Sequence, residues 1–224
     1  PSYYYALQRY SRALKQRGAL LKEISLGNAR ADTLDMWDAQ LAESGAAVMD
    51  LRREFLKTLA QTAAETHARV SGGAEVMTVE YAPSAETADA GAALAETLRE
   101  MLLHARQMDL RRLITSVGPH RDDVRVLLNG QDARAYGSQG QVRTCALSLK
   151  LSELEIMRRE SGESPVLMLD DVMSELDPGR RRLLIGMLED VQTFVTCTDP
   201  TDLAGAAIGR VFRVKNATLT EENA

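Results

Sequence analysis

Two adjacent aspartates, Asp170 and Asp171, close the apolar run Val166-Leu167-Met168-Leu169, which Pro165 opens. A short, continuous apolar run between turn signals reads as a buried strand of a parallel sheet. Open α/β sheets bind ligands beyond the carboxyl ends of their strands, which is where this pair stands. Neighbouring side chains on a strand point to opposite faces, so the two carboxylates serve different ends unless the chain already turns. Asp170 suits a magnesium ion bridging phosphate oxygens, and Asp171 suits positioning and polarising a water. Asp-Asp alone is more often a solvated acidic turn. Ser174-Glu175-Leu176-Asp177 directly downstream, and two segments upstream, weigh for chemistry.

The first of those segments is Ala135 to Thr144, in which Gly137-Ser138-Gln139-Gly140-Gln141 opens a long helix carrying Leu147, Leu149, Leu151, Leu154, Ile156 and Met157. A hydroxyl residue and glycines at a helix start leave backbone N–H groups free, and the helix dipole adds partial positive charge. Such an end can hold a terminal phosphate, although an isolated Gly/Ser-rich start is commonly plain capping. The second is Gly118-Pro119-His120-Arg121-Asp122-Asp123. Its glycine and proline fit a turn between strands at 113–117 and 124–128. The His-Arg pair can face a phosphate or bridge to its own aspartates.

These residues must be held by a scaffold, and the pattern divides it in two. Residues 2–24 follow a helical seam of Tyr3, Leu7, Tyr10, Leu14, Leu21 and Ile24, with Arg17 in the one polar seam position. After a turn at Gly27-Asn28, a second helix carries Leu34, Trp37, Leu41, Val48, Leu51 and Phe55, is interrupted by Ser44, and extends to about Val70. Together they predict an antiparallel helical hairpin. A strand over 75–81 and a helix over 86–112 complete an arm, residues 1–112. Residues 113–224 form a lobe. In it Asn129-Gly130 predicts a hairpin turn, and Pro178 starts a helix running to about Glu189. Thr193 to Thr196 is a second buried strand, Val211 to Val214 a last strand closing the sheet, and the tail from Thr218 is polar. The fold class expected is α/β, a mainly parallel sheet with helices plus a helical arm.

Composition narrows the function classes. The 224 residues are enough for one large domain or two small ones, and 45% are apolar. A net charge of −5 confines any nucleic-acid surface to a local patch, and the 4% aromatic content leaves few platforms for stacking bases. The basic side chains of the first helix and following turn (Arg9, Arg12, Lys15, Arg17, Lys22 and Arg30 against one acid, Glu23) are a candidate patch, with Arg111, Arg112 and Arg121 beside it. No apolar run is long enough to span a bilayer. Cys145 and Cys197 stand apart, which fits a reducing cytoplasm better than a disulfide framework. None of the five lysines follows a glycine, so G-x-x-x-x-G-K-[ST] is absent.

In this order the segments resemble the C-terminal half of an ABC-type ATPase lobe of the SMC-like repair group. Ser138 to Gln141 resembles the signature loop, Val166 to Asp171 the Walker B strand, Ser174 to Asp177 the D-loop, and Thr196 to Asp199 the switch segment. Gly118 to Asp123, Ser138 to Arg143 and Leu169 to Asp177 together, with Leu14-Lys15-Gln16-Arg17, are similar to the RecF family of bacterial recombination mediators. Two positions depart from the wider ABC pattern: Asp171 stands where glutamate is usual and Thr198 where histidine is usual. Both departures imply slow hydrolysis.

The resemblance implies a protein that binds ATP and Mg2+ and forms an ATP-dependent homodimer. Asp170 would be the metal ligand. Asp171 and Thr198 would be catalytic, and Ser138, Gln139, Gly140, Gln141 and Asp177 would be nucleotide-binding. It further implies DNA as a partner, duplex or at single-strand/duplex junctions, contacted by Arg9, Arg12, Lys15, Arg17, Arg111, Arg112 and Arg121. RecR and RecO would be protein partners, in DNA repair, replication and SOS induction. The missing phosphate loop lies, in that family, in an N-terminal segment, so the chain is expected to be a truncated form and inactive alone. Three other readings stand beside this one. They are a non-catalytic interaction or dimerisation module, an SMC-like ATPase outside recombination such as an overcoming-lysogenization-type nuclease ATPase, and a metal phosphohydrolase built on Asp170-Asp171. Only three histidines (His67, His104, His120) are available to the last.

Overall fold

A computed structural model describes residues 2–188 and 191–222. The chain forms two compact units, one of residues 1–60 and 79–125 and the other of 61–78 and 126–224. The boundaries between these units cut through a helix and two strands.

In the first unit, helix α1 (Ser2–Ser25) and the first part of helix α2 (Leu34–Val70) follow the predicted seams. Tyr10, Leu21, Leu34, Leu41 and Val48 are all at most 2% exposed. Ser44, the polar break in the second seam, is buried and returns its hydroxyl to the Gln40 carbonyl at 2.6 Å, which removes the cost of burying it. Two helices do not make this core. Helix α3 (Gly91–Arg112) brings Leu94, Leu98 and Leu102 into the same cluster as Tyr10, Leu41 and Met49.

Arg17 occupies its seam position as part of a buried ion cluster. Its guanidinium donates to Asp38 at 2.6 Å, Asp109 at 2.7 Å and Thr115 at 2.9 Å. Arg106 returns to Asp38 at 2.7 Å. Each carboxylate takes a short charge-assisted bond from a guanidinium, which offsets the cost of burying the charges.

The strand expected over 113–117 does not form. Leu113 ends α3 in the left-handed region, φ 55°. The backbone groups a ladder would need are taken by side chains: Ser116 N–H by Asp109, and the Thr115 carbonyl by His120 and Arg121. Pro119–Arg121 is a 3-10 turn, so Gly118 to Asp123 does not link two strands. Strand β1 (Met77–Ala82), strand β2 (Asp123–Leu128) and strand β3 (Gln131–Asp132) form one sheet in that order. The β2–β3 hairpin turns at Asn129-Gly130 as expected, both with positive φ.

In the second unit a short helix α4 (Ala133–Tyr136) precedes, across a break, the expected long helix, α5 (Gln139–Ser161). Gly137 sits at the break, where an added Cβ would lie 2.5 Å from the Ala133 carbonyl oxygen. Strands β4 (Leu167–Asp170) and β5 (Thr193–Thr196) pair in parallel. Leu169 packs with Val70, Leu147, Leu151 and Leu184, while Met168 is 79% and Phe194 56% exposed. The two strands are thus buried on one face, where a continuous apolar run predicts two; the alternation of side chains is the reason. Helix α6 (Pro178–Met187) follows, and the expected extension to Glu189 lies outside the described residues. Strand β6 (Val211–Lys215) does not join β4 and β5. It pairs antiparallel with β7 (Thr218–Glu222), in the tail read as polar, across a turn in which Asn216 and Ala217 both have positive φ.

Candidate nucleotide site

The carboxyl end of β4 brings Asp170 and Asp171 to the surface, both exposed. The chain does turn between them: Asp170 is the last strand residue and Asp171 takes φ 53°. This conformation disfavours a side-chain-bearing residue by roughly 1–3 kcal/mol and is held by its surroundings. Those surroundings are Thr196, which the parallel register places beside Asp170. The Thr196 hydroxyl donates to Asp170 Oδ1 at 2.5 Å and accepts from the Asp171 N–H at 3.0 Å. Thr196 therefore holds the Asp170 carboxylate and the Asp171 backbone. The motif order pointed to Thr198, which is exposed and has no hydrogen bond from its side chain among the described residues. The register of two parallel strands was the signal that finds Thr196.

The segment after the aspartates is self-supporting. Asp177 caps α6 with bonds from Gly179 N–H at 2.9 Å and Arg180 N–H at 3.0 Å, which hold its carboxyl below the usual range. Ser138 begins α5 in a capping box: its Oγ accepts from Gln141 N–H at 3.3 Å, and Gln141 Oε1 accepts from Ser138 N–H at 2.9 Å. The cap occupies one of the N–H groups expected to be free, while Ser138, Gln139 and Gly140 remain exposed. Gln141 is half-buried and engaged at both ends of its amide, the second being a bond from Nε2 to Glu75 at 3.0 Å.

Two ties hold the start of α5 against the segment after β4. Arg143 bridges to Glu175 at 3.1 Å, and Arg180 donates to the Gly140 carbonyl at 3.2 Å and to Thr144 Oγ1 at 2.6 Å. Glu75 and Arg180 were not singled out from the sequence; nothing local marks Glu75.

Among the described residues no three His, Cys, Asp or Glu side chains group to hold a metal. The fit is therefore to a cation carried largely by phosphate oxygens and water, with one protein carboxylate. Magnesium accepts that arrangement. Asp170, exposed and with Oδ2 uncommitted, offers it. Cys145 is buried, which pushes its thiol up to about 11, and Cys145 and Cys197 are not joined in a disulfide.

Of the residues expected to meet DNA, Arg9, Arg12 and Lys15 on α1, and Arg111 and Arg112 at the end of α3, are exposed. Arg121 is exposed but places one nitrogen on the Thr115 carbonyl at 3.1 Å. Arg17 is excluded. Its side chain is 0% exposed and paired with Asp38 and Asp109. The Gly118–Asp123 motif is likewise committed to packing. Tyr10 O–H donates to His120 Nδ1, since Nε2–H is given to the Thr115 carbonyl at 2.9 Å. Asp122 accepts from Tyr81, from Ser84 N–H at 2.7 Å and from Arg52 at 3.2 Å.

No protein-family model matches the chain. Among curated proteins, it is 45% identical over 201 residues to the DNA replication and repair protein RecF of Acetivibrio thermocellus, covering 89% of this chain and 54% of that one. It is 44% identical over 228 residues to the protein of the same name from Halothermothrix orenii, covering 98% and 60%. Among solved structures, the recombination mediator protein RecF–ATPrS of the RecFOR pathway superposes with a TM-score of 0.85 at 38% identity, over 98% of this chain and 58% of that one. The chain is RecF-like along nearly its whole length. The structure of RecF–ATP matches equally, with a TM-score of 0.85 at 36% identity. The RecF-like chain spans a little over half the length of the relatives it matches. Its α/β fold is that of RecF, an ABC-ATPase-like lobe with helical additions.

Proposed function

We propose that this chain supplies part of an ATP-gated DNA-repair protein of the RecF type. The observation that carries the reading is the exposed end of the β4–β5 pair, where Thr196 holds the Asp170 carboxylate and the Asp171 backbone, and where no ion pair to either aspartate is found among the described residues. In the RecF reading, Asp170 holds Mg2+ against phosphate oxygens, and the ion supplies neutralisation of phosphate charge. Asp171, turned away by its backbone, orients a water; its short side chain accords with a weak ATPase. The exposed Ser138–Gly140 start of α5 caps a nucleotide held by a second copy, so ATP joins two copies and hydrolysis parts them. Thr198 retains the switch position by alignment, with Thr196 beside the aspartates.

The dimer so formed clamps DNA, duplex or at single-strand/duplex junctions, through Arg9, Arg12, Lys15, Arg111, Arg112 and Arg121. It helps a recombinase load at gaps together with RecR and RecO, in repair, replication and SOS induction in the cytoplasm. Among the described residues no helix is long and apolar enough to cross a membrane. A second reading is favoured by one feature, the absence of G-x-x-x-x-G-K-[ST] from this sequence: as isolated, the chain is a non-catalytic interaction or dimerisation module.

Calorimetric titration of Mg-ATP into this chain, and into the same chain joined to the N-terminal segment of a RecF relative, tests the proposal. No heat with the first and saturable binding with the second is the expected result. Micromolar binding by the chain alone, lost on Asp170→Ala, would mean a self-sufficient site and would overturn the half-site reading.

A further inference from the structure

Glu75 lies outside every motif, in the loop between α2 and β1, yet it is the acceptor on which the candidate site converges. Its Oε1 accepts from Gln141 Nε2 at 3.0 Å and from Arg180 Nη2 at 3.0 Å. Its Oε2 accepts from His67 Nε2 at 3.2 Å, one turn before the end of α2. A carboxylate only accepts, so His67 carries its proton on Nε2, and Nδ1, 3.0 Å from Ser148 Oγ, faces the middle of α5. The cluster is drawn in from solvent: His67 is 0%, Glu75 10% and Arg180 20% exposed in their side chains. In a site of this burial a charged pair holds its geometry far better than one on the surface.

We propose that Glu75 is the positioning residue of the nucleotide site. Through Arg180 it fixes the capping start of α5 to the helix that follows Asp177, and through His67 it ties both to the end of α2. The guanidinium is the coupling piece because its fork reaches Glu75, the Gly140 carbonyl and Thr144 Oγ1 together, which one ammonium group cannot do. The arm helix α2 thereby ends on the same carboxylate that sets the capping loop. This deepens the reading above and rests on it only for the word nucleotide; the mechanical tie is independent of ATP.

Amide hydrogen exchange on the chain, without ligand, reads the tie directly. In Glu75→Ala and Arg180→Lys, exchange over 138–145 and 177–181 is expected to quicken at least tenfold, with β4 and β5 unchanged. Glu75→Gln, which keeps an acceptor for Arg180 and Gln141, restores most of the protection. A uniform rise across the second unit, or no change, overturns the proposal. The form joined to a relative's N-terminal segment separates this from the functional reading. If the wild-type joined form fails to self-associate with Mg-ATP, the functional reading fails and the exchange result still decides the tie. If it self-associates and Glu75→Ala does so equally well, the positioning role is overturned.

Discussion

The two units differ in how their most conspicuous aspartates are used. In the first, Arg17, Asp38 and Asp109 are buried and bonded to one another, and Asp122 is filled by Tyr81, Ser84 and Arg52. In the second, Asp170 and Asp171 stand exposed, one threonine holding the carboxylate of the first and the backbone of the second. A carboxylate saturated by its own fold serves stability, whereas one oriented but unsaturated is available to a ligand. By this criterion the most conspicuous motif of the first unit, Gly118 to Asp123, is architecture.

The contrast is breakable at its strongest point. Arg17→Met leaves the buried Asp109 with no cationic partner shown and takes one of the two arginines from Asp38, and should cost about 3–5 kcal/mol, read as a lowered urea midpoint. Should its loss fall within 0.5 kcal/mol of wild type (~0.5 is the ordinary surface value), the cluster is not what holds α1, α2 and α3 together.

Gly118→Ala comes next. Gly118 has φ 124° and its Cβ would run into the Tyr10 hydroxyl, so about 3 kcal/mol of strain and overpacking is expected. A thermal melt unchanged from wild type would show that the turn adjusts freely.

A smaller effect distinguishes pH ranges. Burial holds His67 and His120 below their ordinary value of 6.5, against the upward pull of Glu75 on the first and of the Thr115 carbonyl on the second. The unfolded chain therefore takes up protons first as pH falls. Stability should hold above about 6.5 and decline below it until the folded-state values are reached. Unfolding free energies between pH 8 and 5 check the sign; a rise on acidification would mean that the acidic neighbours outweigh burial.

Much of this was legible in the sequence where one physical signal dominates. The seams of α1 and α2, the Asn129-Gly130 turn, and Pro178 with Asp177 before it are local, and each formed as its local chemistry dictates. The failures share a cause: side-chain partners, some a few residues away and some distant, override a local pattern. Residues 113–117 have strand-like composition, but Asp109, His120 and Arg121 claim their backbone groups. Arg17 reads as a phosphate contact until Asp38 and Asp109, 21 and 92 positions away, come into view. The site was legible as an order of motifs, while Thr196 and Glu75 emerge only once strands are in register and α2 has an end.

The claim that Asp170 is kept for a ligand is tested most directly by the urea midpoint of Asp170→Ala beside wild type. Relief of the Asp170–Asp171 repulsion offsets loss of the Thr196 bond, so stability should stay within about 0.5 kcal/mol of wild type. A loss above about 2 kcal/mol, the scale of a buried charged bond, would contradict the account and place Asp170 with Asp38 and Asp109 among the residues that hold the fold.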